Sequence, residues 1–148
     1  MKIEHECILL RFLAIAMVNI SCGVLASISA STVAYAHSFE GAWDWNGAPS
    51  TKAFSIELTQ RGNVLQGQYC AIARNGNRVD CDNERMPNID GVVDRAGKSA
   101  EINFSSFFGG EGGKAKIRIQ NDKLIWHVTK NPENGEFFAP IDAILDRH

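Results

Sequence analysis

From Phe39 onward, apolar residues recur at every second position and turn residues break the run at short intervals, with no stripe at helical spacing. Alternation of this kind lines one face of a strand with apolar side chains and the other with polar ones, so the pattern predicts an all-β protein. Over 39–46, Phe39, Gly41, Trp43 and Trp45 share a face. Over 53–60, Phe54, Ile56 and Leu58 oppose Ser55, Glu57 and Thr59, and Arg61-Gly62-Asn63 turns the chain. Over 64–74, Leu65, Gly67, Tyr69 and Ala71 align. Further strands are predicted over 77–82, 89–93, 99–108, 114–120, 123–129 and 137–145, the last after a loop holding Asn134-Gly135.

The sharpest local signal is Asn75-Gly76. A two-residue type I′ turn needs positive φ at both central positions, and this dipeptide supplies it most readily. Counting outward pairs Arg74 with Asn77, Ala73 with Arg78, Ile72 with Val79, Ala71 with Asp80 and Cys70 with Cys81. Directly opposed residues have Cα atoms about 4.5–5.5 Å apart, within the span of a disulfide. If Leu65 and Tyr69 face the core, Cys70, Ile72, Val79 and Cys81 face away from it. The hairpin therefore either carries a bulge or projects past the rim of the sheet with the disulfide stiffening it there.

The barrel strands number about eight. Short strands in consecutive hairpins favour closure into a single small antiparallel up-and-down barrel, because closure removes exposed edges; a two-sheet β-sandwich is the alternative. Gly41-x-Trp43, Gly67-x-Tyr69 and Arg147 near the end of the last strand resemble the small barrels of the calycin group, the lipocalins and avidins. In lipocalins a first-strand tryptophan packs beneath an arginine and closes one mouth of the barrel, and the resemblance implies the same contact between Trp43 and Arg147. It implies no particular ligand.

The segment before the first strand reads as an export signal. Lys2 and Arg11 give a positive start, 12–30 is mostly apolar, and Ala34-Tyr35-Ala36 is a small-x-small cleavage site that would leave His37 first. Asn19 and Ser21 interrupt the apolar run and argue against a retained anchor, and Asn19 stands where a lipidation signal ahead of Cys22 would carry an apolar residue. The expected organisation is a signal peptide over 1–36 and one β-barrel domain over 37–148, with no stable membrane insertion after cleavage. Of the four cysteines, Cys70 and Cys81 would remain, an even pair suited to an oxidising compartment, periplasmic or extracellular. The shortened chain would hold 13 Lys and Arg against 15 Asp and Glu. That balance excludes the basic excess typical of nucleic-acid binders.

Candidate chemistry is sparse. The glycine run 109–113 ahead of Lys114 lacks the glycine and hydroxyl of a phosphate loop, with Phe108 and Ala115 in those places, and reads as a mobile loop at the barrel mouth. Asp80, Asp82, Asn83 and Glu84 form an acidic cluster without the glycine of a calcium loop, since Arg85 stands there, and read as a solvated turn. His37 as a free N-terminus would chelate copper and His127 would complete such a site, but a histidine after a cleavage site is ordinary and the expectation is no metal and no cofactor. Ser105 and Ser106 lack a nucleophile elbow, paired zinc-binding histidines are absent, and the expectation is no enzyme.

Two functions fit. The first is an exported, non-enzymatic protein-binding module, of inhibitor, immunity or secreted-effector type, that meets its partner through Arg74, Asn75, Asn77 and Arg78 at the stapled tip and through the glycine-rich loop. The alternative is a carrier holding a small apolar ligand inside the barrel, lined by Trp43, Tyr69, Phe104 and Trp126. Small inward residues, Gly41, Gly67, Ala71, Gly91 and Ala115, would leave it room.

Overall fold

Among the described residues the alternating segments form nine strands: β1 (Gly41–Asp44), β2 (Ala53–Arg61), β3 (Val64–Ala73), β4 (Arg78–Asp80), β5 (Ile89–Val93), β6 (Ser99–Phe104), β7 (Gly113–Gln120), β8 (Lys123–Lys130) and β9 (Asp142–Arg147). The computed structural model describes residues 38–82 and 86–148; the export segment expected over 1–36, and His37 with it, lies outside the described residues. Among the described residues there is no helix.

Neighbours run β2-β1-β9-β8-β7-β6-β5-β3, every pair is antiparallel, and β2 pairs with β3 to close the circle. Eight strands thus make an up-and-down barrel, and β4 is an addition to it. The sandwich alternative falls away because no edge separates two sheets. β3 is shared along its length: one edge pairs with β2 from Val64 to Ile72, while the other pairs with β5 at Val64–Gly67 and with β4 at Ala71–Ala73. No bulge changes its parity, so Leu65, Tyr69, Ala71 and Ala73 are buried while Cys70 and Ile72 face outward. The last β2 partner is Ala53 opposite Ile72, and the tip 74–77 lies beyond it, which places the hairpin past the rim.

Inside, Phe54, Tyr69, Phe104 and Trp126 form a cycle of touching rings with centroids 5.3–6.0 Å apart. Offset and edge contacts at that spacing match the ring quadrupoles. The small residues open less room than the sequence suggests. A Cβ at Gly91 would stand 2.5 Å from Ile102 Cδ1, and one at Gly67 would stand 2.1 Å from the Glu57 carbonyl oxygen. Their neighbours already occupy the space.

The opposite mouth is closed as the calycin resemblance implies. Trp43 pairs with Arg147 across β1 and β9, and the guanidinium carbon lies 4.1 Å from the centre of the indole. Trp43 Nε1 donates to the Phe39 carbonyl at 2.9 Å, and Arg147 donates to the carbonyls of Ser38 and Glu40. Gly41 has φ +126°, and a side chain there would meet Arg147 Nη1 at 2.7 Å, so the glycine clears the path of the guanidinium.

Candidate functional site: the stapled hairpin and the loops it gathers

Asn75 and Gly76 adopt φ of 56° and 88°, and Asn77 N donates to the Arg74 carbonyl at 3.2 Å. The chain therefore turns at Asn75-Gly76 and sets the register Ala73↔Arg78, Ile72↔Val79 and Ala71↔Asp80, but Arg74 is left-handed as well, at φ 54°, and the expected pairing of Arg74 with Asn77 is not part of the ladder. One step further, Cys70 and Cys81 are joined by a disulfide with Cα atoms 4.5 Å apart, on the outward face. Arg74, Asn75 and Asn77 are exposed, and Arg78 is half-buried.

The inward face of the hairpin holds what sequence reading missed. Asp80 is fully buried and sits at the barrel mouth, not in the solvated acidic turn expected of it. Its carboxylate accepts from Tyr69 Oη at 2.8 Å, Ser106 Oγ at 2.9 Å, Phe107 N at 2.9 Å and Phe138 N at 3.1 Å. All of these are donors, so both oxygens act as acceptors, and the bonds replace the hydration lost on burial. Burial, together with the charge and hydrogen bond of Asp80, pushes the Tyr69 phenol far above its ordinary range and keeps it a donor.

That hub explains two departures from the expected strands. The segment predicted to run to Phe108 ends at Phe104, because Ser106 turns in to reach Asp80 and also accepts from Phe108 N at 3.0 Å. The last strand, expected from Phe137, begins at Asp142, because the Phe138 amide is held by the same carboxylate. Three loops thus meet at one group. Around it, Phe108 and Phe138 make an edge contact at 5.0 Å, Phe137 packs on Phe104 at 6.4 Å, and the Arg74 guanidinium lies over Phe138 at 5.9 Å.

The glycine run 109–113 is pinned here and is no free loop. Glu111 and Glu133 exchange backbone hydrogen bonds at 2.9 and 2.8 Å, and Gly109 bridges Glu136. Gly135 sits so close that a Cβ would stand 2.3–2.5 Å from the backbone of Phe108, Gly109 and Gly110. Gly110, Gly113 and Gly135 leave no room for a Cβ, whereas Gly109 and Gly112 hold positive φ with open space around them.

Of the residues expected to line a ligand cavity, Tyr69, Phe104 and Trp126 belong to the packed ring cycle with Phe54, whereas Trp43 lies at the far mouth under Arg147. His127 is exposed on β8 with Nδ1 2.6 Å from Asp142, while Ser106 belongs to the Asp80 hub, so the two do not form a catalytic pair. Asp82 caps the Met86 amide at 3.2 Å, and its cluster neighbours Asn83 and Glu84 lie outside the described residues. Among the described residues no group of three or more His, Cys, Asp or Glu side chains is arranged to hold a metal. No family model matches the chain, and no curated protein or solved structure matches it.

Proposed function

We propose that this protein is an exported, non-enzymatic binding module that docks on a protein partner through the tip of the β3–β4 hairpin. The observation that carries the reading is the anchoring of that tip. Arg74, Asn75 and Asn77 are exposed beyond the rim, yet a disulfide ties the hairpin from outside and Asp80 ties it from inside. A recognition loop ordered before docking loses little conformational entropy on binding, so more of its contact energy appears as affinity. The mutual packing of Phe54, Tyr69, Phe104 and Trp126 supports this reading over a carrier with a ligand in the interior.

Export to an oxidising compartment is part of the proposal and rests on the leader pattern and on Cys70–Cys81. N-terminal sequencing of the protein recovered from cells is expected to begin at His37. The partner is to be recovered with the exported protein as bait from envelope and secreted fractions. Replacing Arg74 and Arg78 together by alanine should leave the fold intact and weaken that partner's binding at least tenfold, a loss of about 1.4 kcal/mol. Unchanged affinity would transfer the assignment to the barrel interior and a small apolar ligand.

A further inference from the structure

Two guanidinium groups, those of Arg74 and Arg78, stand at the hairpin end, and among the described residues neither forms an ion pair. The Arg74 guanidinium rests over the ring of Phe138. Arg78 lies on the inward side of β4, two residues before Asp80; its Nη1 reaches only the Asn77 carbonyl, at 3.3 Å, and its Nε is shut off from solvent with no hydrogen-bond partner. The carboxylate within their own hairpin, Asp80, is already occupied by Tyr69, Ser106 and two backbone amides. A buried N–H without an acceptor is costly, and groups left so in a folded protein call for an explanation. The floor beside Arg74 is aromatic, with Phe108 exposed and set edge-on to Phe138.

We propose that this end of the molecule receives an acidic segment of the protein partner, with an Asp or Glu carboxylate entering between Arg74 and Arg78 and a neighbouring apolar side chain resting on Phe108 and Phe138. Guanidinium presents paired donors that match the two oxygens of a carboxylate, and it stacks on aromatic faces while doing so. A partly desolvated pair beside aromatic walls is also less screened than one in open solvent. The proposal rests on the reading of the hairpin as the contact element and adds the chemistry of what it contacts.

The test is selection of a random peptide library against the exported full-length protein, followed by affinity measurement on synthesised peptides. Bound sequences are expected to be enriched in Asp and Glu next to apolar residues. Arg74→Gln with Arg78→Gln should weaken them roughly tenfold or more, as loss of one side of an interfacial charge pair commonly does. Arg74→Glu with Arg78→Glu should turn the enrichment toward Lys and Arg. An unchanged thermal midpoint in the Gln variant establishes that the fold is intact. Absence of acidic enrichment, an empty selection, acidic peptides indifferent to both variants, or displacement of the peptides by millimolar inorganic phosphate would each overturn the inference. An empty or non-acidic selection leaves partner capture by the hairpin standing, so the two readings fail separately.

Discussion

A single carboxylate decides how three loops meet. Asp80 pairs with no cation among the described residues and is buried among hydrogen-bond donors, so removing it strands the Tyr69 and Ser106 hydroxyls and the amides of Phe107 and Phe138 together. Hydrogen bonds to a charged group contribute about 1.5–3 kcal/mol each, and stranded buried donors add their own desolvation cost. Asp80→Ala should therefore lower stability by more than about 3 kcal/mol, read from denaturant unfolding; a loss below about 1 kcal/mol would mean the hub does not hold the loops. Tyr69 gives a second readout. Its pKa is raised in the folded state, so its contribution is fully present below the phenol's unfolded value of about 10 and is lost as pH rises beyond it. Tyr35 and Tyr69 are the two tyrosines, and a chain beginning at His37 keeps only Tyr69. Phenolate absorbance in that chain should appear only together with alkaline unfolding, in one transition above pH ~10. A phenolate signal that develops while the fold persists would contradict the buried Tyr69–Asp80 bond.

The hairpin shows which elements the alternation makes legible and where it stops. Asn75-Gly76 predicts the turn, the register and the disulfide, because φ requirements and cross-strand distance are local facts. The same register sets Asp80 opposite Ala71, which was placed on the core face, so parity alone would have turned Asp80 inward; its acidic neighbours drew it into a solvated cluster instead. Tyr69 sits on the neighbouring strand, but the other three donors come from 26 to 58 residues further along the chain, and no local pattern announces them. The glycine run misled for a related reason. Its purpose is the close approach of 109–110 to Gly135, a long-range event. Because β4 stands outside the closed circle, the disulfide reinforces an appendage. Replacing Cys70 and Cys81 by alanine should lower stability by about 2–4 kcal/mol, while the β signal in circular dichroism and the Trp126 environment stay unchanged. Collapse of the barrel in that variant would show that β4 belongs to its closure.

At the scale of the whole molecule, the two ends of the barrel are built for different purposes. One end is a plug of Phe39, Trp43 and Arg147, and the Trp43–Arg147 contact in it was expected only through the resemblance to the calycin barrels, since nothing in the spacing of the two residues pairs them. Trp43 is 1% exposed, so Trp43→Ala should cost about 3–5 kcal/mol, the range for a buried large aromatic; a chemical denaturation series decides it, and a cost under about 1 kcal/mol would remove the plug from the account. The other end carries the hairpin, with Arg74 and Arg78, and the two loops gathered onto it through Asp80.

β3 continues beyond its last partner on β2, and from that follows a division between what the molecule must conserve and what it is free to rewrite. Residues 74–77 take no part in closing the cylinder, while the chain on either side of them is fastened by a covalent link and a buried acceptor. A few residues inserted between Asn75 and Gly76 lengthen an already closed loop, at a cost that grows only logarithmically with its length. Such a site behaves as a variable segment on a constant frame: new recognition sequences can be grafted there, by selection or by design, without asking the barrel to fold anew.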